Sequence, residues 1–327
     1  MSSTVIRRLL VLLDGSPLAE RALRHAAAVA RVFGAEILLL RVVAGERRSG
    51  RHAVDSAEWR LRRKEAEAYL AGLAARLTEQ GFNVSVQVAE GNVEEEVLDA
   101  CARPGLDLLV LTAHGWGGPS EFSLGGTAAK VVTRAGLSVL LVREALEERL
   151  EPDSREMRYT RVVVPFDGSQ RAEWGLSLAT SLAQRHGSEL VVAHVVPHPQ
   201  LPGRMPCPPE LTRAAQKLVA AHRKAAEQVV AEVVAKLESQ GVAARTALLD
   251  SPHVTRTLDD LVVRERADLV VLSAHGASGA AVWPYGSVCS HFIAHGTTPI
   301  LVFQDQPRHE RGEARSESEA ASRAPGG

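Results

Sequence analysis

RRLLVLLDGSPLAERALRHAAAVARVFGAEILLLRVV (residues 7–43) and TRVVVPFDGSQRAEWGLSLATSLAQRHGSELVVAHVV (residues 160–196) are one pattern written twice. Each opens on a short Val/Leu-rich run and turns at Asp-Gly-Ser, residues 14–16 and 167–169. Each then runs through a helical stretch and closes on a second apolar run. Brief continuous apolar runs bounded by turn signals suit strands buried on both faces of a parallel sheet. Strand, helix and strand in this order make a βαβ unit, which crosses over right-handed.

Outward from these stretches the correspondence continues. LDLLVLTAHG ending at Gly115 matches ADLVVLSAHG ending at Gly276. LGGTAAKVV from Leu124 matches YGSVCSHFI from Tyr285, and SVLLV from Ser138 matches TPILVF from Thr298. A period this long exceeds any solenoid repeat and marks a duplicated domain. In the first copy strands are expected at 9–13, 37–43, 84–88, 108–111 and 139–142, with helices near 17–33, 56–80, 94–103 and 126–135. Helices of the second copy are expected near 170–186, 211–240, 255–266 and 287–295. Leu61, Ala68, Leu70, Leu73 and Leu77 are read as the inward stripe of the second helix. The fold class is therefore α/β, as two tandem doubly wound parallel sheets. The domains are placed at 1–146 and 159–306, with a polar linker at 147–158 and a disordered tail rich in Arg, Glu, Ser and Gly at 307–327. The proline-rich segment 197–209 is expected to be an extended loop.

The 327 residues carry 38 Lys+Arg against 39 Asp+Glu, a net charge of −1. That balance gives no electrostatic case for nucleic acid or an anionic membrane. No run approaches the length of a membrane helix. The three cysteines, Cys101, Cys207 and Cys289, stand far apart without metal or redox spacing. A cytoplasmic location is expected.

In an open α/β sheet the ligand crevice lies beyond the carboxyl ends of the strands, where strand order reverses. Asp14-Gly15-Ser16 and Asp167-Gly168-Ser169 should flank it, with the serines capping the helices that follow. A Gly-Ser pair at 286–287 opens a helix, where backbone N–H groups and the helix dipole suit phosphate. No P-loop or dinucleotide fingerprint is present.

On these residues both copies resemble universal stress protein domains, over 5–143 and 159–304. The resemblance implies a five-stranded parallel sheet of order 3-2-1-4-5 in each copy, similar to adenine nucleotide alpha hydrolases. ATP-binding members carry G-x2-G-x9-G-[ST] after the fourth strand. The second copy gives Ser273, Gly276, Gly286 and Ser287 at these places, and the first gives Thr112, Gly115, Gly125 and Gly126, followed by Thr127. Both lack the first glycine. Ser273 is tolerable there if its φ is negative. The family's proline before the first-strand Asp is Pro165 in the second copy and Leu12 in the first. The resemblance thus implies adenine at Asp167 and Val195, with Pro165 shaping the strand end. Ribose and phosphates would meet Ser273, His275, Gly276, Gly286, Ser287 and Val288. The lesser site of the first copy would use Asp14, Val42, His114, Gly115, Gly125 and Thr127, beside Trp116.

Other features have plainer readings. His291 and His295 stand one turn apart and fit a helix face better than a metal pair. Arg47, Arg48, Arg51 and His52 read as a solvated basic loop, and Trp174 and Trp283 as packing aromatics.

The expected function is a ligand-sensing stress protein that binds ATP, with Mg2+, mainly in the second copy and with little or no turnover. The first copy would be its built-in partner, joined through the fifth strands at 139–142 and 300–303, because an edge strand needs cover. Homodimer formation stays open. The alternatives are a nucleotide-independent scaffold and a nucleotide hydrolase or adenylate-transferring enzyme.

Overall fold

A computed structural model describes residues 6–44, 56–115, 124–143, 156–199, 208–277 and 284–305. Residues 147–155 of the expected linker, the tail at 307–327, residues 200–207 of the proline-rich segment, the basic loop at 47–52, Trp116 and Trp283 lie outside the described residues.

The first half runs β1 (Arg8–Leu13), α1 (Pro17–Phe33), β2 (Glu36–Ala44), α2 (Ser56–Glu79), β3 (Val84–Gly91), α3 (Val93–Ala102), β4 (Leu108–Thr112), α4 (Gly126–Arg134) and β5 (Ser138–Val142). The second runs β6 (Arg161–Pro165), α5 (Gln170–His186), β7 (Glu189–Pro197), α6 (Pro209–Ser239), β8 (Ala244–Ser251), α7 (Val254–Arg264), β9 (Leu269–Ser273), α8 (Ser287–His295) and β10 (Ile300–Phe303).

α1 and α5 begin and end where the sequence says, because both ends carry their signals. The hydroxyls of Ser16 and Ser169 accept from the amides of Ala19 (3.0 Å) and Ala172 (3.1 Å). Gly34 (φ +65) and Gly187 (φ +73) close the helices in the left-handed region. α2 departs from its expected stripe. Leu61 is 57% exposed, and the inward face is Ala66, Leu70, Leu73 and Leu77. Leu61 and Ala68 are out of phase with that series, and both are exposed.

Within each half the strands are parallel and ordered 3-2-1-4-5. The two five-stranded sheets do not stand apart. They form one ten-stranded sheet in the order β3-β2-β1-β4-β5-β10-β9-β6-β7-β8. The join is antiparallel, with Ile300 opposite Leu141, Leu301 opposite Leu140 and Val302 opposite Val139. β5 is buried throughout.

One core fills each face of the sheet. Side chains of α1, α2, α5 and α6 pack on one face, and those of α3, α4, α7 and α8 on the other. Both cores draw on both halves. Polar groups also cross the join. Tyr285 Oη donates to the Val132 carbonyl at 2.8 Å, and the buried Arg143 guanidinium donates to the carbonyls of Phe292 and Ile293 near the end of α8. His25 Nδ1 lies 2.8 Å from Tyr159 Oη. Burial pushes the His25 imidazole down to about 3, with the Arg24 charge adding to the effect. Among the described residues, no helix is long and apolar enough to cross a membrane.

Candidate functional site

The site grows from one corner in each half. At the end of β6, Asp167 Oδ1 accepts from the Ser169 amide at 3.0 Å, and Oδ2 reaches across to accept from the Ala277 amide at 2.7 Å. The carboxylate thereby ties the turn after β6 to the turn after β9. Burial alone would raise its pKa, but the bonds from Ser169 and Ala277 outweigh burial and hold it below the usual carboxylate range. Asp14 repeats the first bond, to the Ser16 amide at 2.8 Å.

This clamp explains the glycine of the second turn. A Cβ on Gly276 would sit closer than 3.0 Å to Asp167 Oδ2, and one on Gly115 as close to Asp14 Oδ2. Both glycines are needed by the protein's own carboxylate, whatever ligand is present.

The missing first glycine has a structural replacement. Ser273 Oγ donates to the His275 carbonyl at 2.7 Å, and Thr112 Oγ1 donates to the His114 carbonyl at 2.7 Å. Each hydroxyl tightens the turn beyond its strand. Arg266 is the one non-glycine residue with positive φ among the described residues, so Ser273 carries no left-handed strain.

α4 and α8 begin opposite these corners and, unlike α1 and α5, start without a capping side chain. Gly125 and Gly286, at their N-caps, supply no side-chain bond. The amides of Gly125 (2.9 Å) and Gly286 (2.7 Å) are used on the carbonyls of Ala113 and Ala274, which fixes each helix start against the strand end. The first-turn amides beyond them, at Gly126 and Thr127 and at Ser287 and Val288, meet no capping side chain and carry the positive end of the helix dipole.

The two clefts differ in size. Asp14, Val42, His114, Gly115, Gly125 and Thr127 all line a cleft of about 590 Å3 in the first half. Pro165, Asp167, Val195, Ser273, Gly276, Gly286, Ser287 and Val288 line one of about 220 Å3 in the second. His275 does not line it. It is 3% exposed, with Nδ1 3.9 Å from Asp305 Oδ1, while Asp305 pairs with Arg171 at 2.7 Å. Small-molecule sites span about 300–1,000 Å3, so the first cleft falls inside that range and the second below it.

Two lining residues were not singled out from the sequence. Arg41 and Arg62 both face the larger cleft. Arg41 interrupts the apolar run LLLRVV at the crevice end of its strand, a signal that was available. Of the remaining candidates, His291 pairs with Asp259 and lies 5.2 Å from the His295 ring. Trp174 packs edge-on against Phe303 at 6.2 Å. Cys101 and Cys289 are buried.

Comparison with known proteins agrees with this architecture. The universal stress protein family model matches residues 6–143 and again 158–304. A universal stress protein of Mycolicibacterium smegmatis is 23% identical over 312 residues, covering 90% of this chain and 96% of that protein. A crystal structure of a universal stress protein from Archaeoglobus fulgidus superposes with a TM-score of 0.63 at 18% identity, over 93% of this chain and 99% of that one. A functionally unknown protein from Pseudomonas aeruginosa gives a TM-score of 0.64 at 17% identity, over 98% of this chain and 99% of that one. With two matches that together span most of its length, the chain belongs to the universal stress protein family, as a tandem of two such domains.

Proposed function

We propose that this chain is a nucleotide-responsive stress protein whose crevices bind an adenine nucleotide, with ATP as the leading candidate, and turn it over slowly or not at all. One observation carries the reading. In both halves a helix start without a capping side chain faces an Asp-Gly-Ser strand corner across a cleft. Free first-turn amides at the positive end of a dipole are a phosphate cradle. The apolar ends of the first two strands, at Val42 and Val195, offer a surface for a base.

The motif and the room favour different halves. Gly286-Ser287 keeps the family's phosphate pair, while the first half has the volume for a nucleotide. We rank the first cleft as the principal site on volume and the second as the weaker one. This reverses the order expected from the motif alone. Mg2+ would arrive on the triphosphate. Among the described residues, no group of three His, Cys, Asp or Glu side chains stands ready to hold a metal. Slow turnover is part of the reading; a rate above about 1 s⁻¹ would overturn it.

Calorimetric titration of the full chain with ATP tests the proposal. The expected result is saturable heat with one stronger site, abolished by Gly125→Val but retained by Gly286→Val. No heat at millimolar ATP would reject nucleotide binding. It would favour the scaffold reading, to which the small second cleft already lends support.

A further inference from the structure

We propose that the first half's cleft takes a nucleotide bearing a second phosphate on its nucleoside end, received by Arg41 and Arg62. The inference rests on reading this cleft as a nucleotide site. Its own support is a cation out of place.

Arg41 lies in β2 in register with Leu13, one residue before the Asp14 corner. Its guanidinium stacks on the Tyr69 ring of α2, 5.0 Å from the centroid. It also lies over Gly15, where an added Cβ would stand 2.9 Å from Nη2. A glycine at φ +87 thus both makes the turn and leaves room for the arginine. Arg41 is partly buried and lines the cleft. Among the described residues, no carboxylate comes within ion-pair distance of it. Other arginines at strand positions are neutralised: Arg8 meets Glu36 at 3.2 Å, and Arg161 and Arg245 each meet Glu189 at 2.9 Å. A partly desolvated charge without an anion is costly, and here it faces open space.

Arg62 stands on the same wall, 54% exposed, on its own-helix partner Glu58 at 2.6 Å. Glu65 and Asp14 are the acidic groups lining the cleft. Asp14 is engaged by the Ser16 amide. The phosphate cradle at the start of α4 follows β4, and Arg41 sits on β2, with β1 between them. Two strand spacings make that roughly 10 Å. A ligand spanning this distance meets positive charge at both ends. A guanidinium fork fits a phosphate with two parallel bonds, and an arginine in a comparable sheet crevice accommodates a ribose 2′-phosphate.

The second half lacks the device. The residue in Arg41's place is His194, whose Nδ1 is held 2.8 Å from the Phe166 carbonyl. Arg63–Glu90 and Arg223–Asp250 are equivalent pairs, which puts His222 in the place of Arg62.

The test is titration of the full chain with 5′-AMP, adenosine 2′,5′-bisphosphate and adenosine 3′,5′-bisphosphate. At least one bisphosphate should bind ~10-fold more tightly than AMP, the increment of one charge-assisted bidentate contact. Arg41→Gln should erase that preference while AMP affinity stays within about two-fold, Arg41→Lys should keep part of it, and Arg62→Gln should reduce it less. Equal affinities in the native chain, or a preference that survives Arg41→Gln, overturn the proposal and leave the cleft a nucleotide site. No heat with any of the three ligands overturns the nucleotide reading of the cleft as well.

Discussion

The corner at Asp14 and the corner at Asp167 are built alike, but the walls that face them are not. Each corner has the same serine cap and the same glycine pressed against the carboxylate. The first half adds Arg41 on Tyr69, where the second has His194 bonded to its own backbone. The clefts also differ in size, about 590 Å3 against about 220 Å3. The difference separates two kinds of residue. Those that make the turn recur because the backbone requires them. Those that line the cleft are free to diverge, and ligand preference resides there.

The largest expected effect tests the shared part. Gly276→Ala places a Cβ against Asp167 Oδ2, as Gly115→Ala does against Asp14. Each should lower stability by about 2–3 kcal/mol, since the carboxylate must leave its amide partners in a partly buried corner. Urea unfolding of Gly276→Ala in an Asp167→Ala background checks the cause. If the collision is the mechanism, the glycine substitution costs little once the carboxylate is gone. Equal penalties in both backgrounds would refute it.

The next effect depends on a difference inside the helices. α1 buries His25 at the place where α5 buries Leu178. Among the described residues, His25 Nε2 has no hydrogen-bond partner. The imidazole, lowered to about 3 by burial, stays neutral in the folded chain. Below an unfolded value of about 6.5 the unfolded chain takes up a proton that the folded chain refuses. Stability therefore falls as pH drops from about 6.5 toward about 3, by several kcal/mol over the whole window. The double variant His25→Leu with Tyr159→Phe replaces both polar partners and should flatten that slope between pH 7 and pH 5. An unchanged slope would assign acid sensitivity to other groups.

A smaller effect sets ligand against fold. Gly286 has φ −68 and ψ 169, the extended geometry of a capping serine, and an added Cβ meets only ordinary contacts at 3.6 Å. Gly286→Ser should cap α8 and raise stability by a few tenths of a kcal/mol. The same hydroxyl would compete for the amides proposed to hold phosphate, so nucleotide affinity in the second half should fall as melting temperature rises. Affinity that rises with stability would show that the helix start is not the cradle.

Much of this was legible in the chain. Ser16 and Gly34 bracket α1, and Ser169 and Gly187 bracket α5, so their ends could be read directly. β5 and β10 read as fifth strands, and their antiparallel pairing closes what would otherwise be two exposed edges. The stripe of α2 is misread from the sequence because Leu61 and Ala68 are apolar yet off the buried face set by Ala66, Leu70, Leu73 and Leu77. Apolar character in a sequence does not by itself say which face of a helix is buried. His275 was grouped with the site because it recurs beside the glycine, but burial against Asp305 takes it off the cleft. The size of the first cleft depends on side chains brought together from α2, β2 and β4, contacts that no single stretch of sequence records.

The last effect concerns the two hydroxyls that stand where the family pattern has glycine. Ser273 and Thr112 each donate to a histidine carbonyl two residues on, at 2.7 Å. A glycine there would free the turn, whereas the hydroxyl pins it without positive φ. Ser273→Ala and Thr112→Val should each cost about 1 kcal/mol, a typical net hydrogen bond. Ser273→Gly should cost somewhat more, because it also restores chain freedom to the unfolded state. If the hydroxyl serves only to set the turn, Ser273→Gly should leave nucleotide affinity in the second half within about two-fold of native, as titration would read it. A gain of ten-fold or more would mean instead that the Ser273 side chain itself obstructs nucleotide in the second cleft.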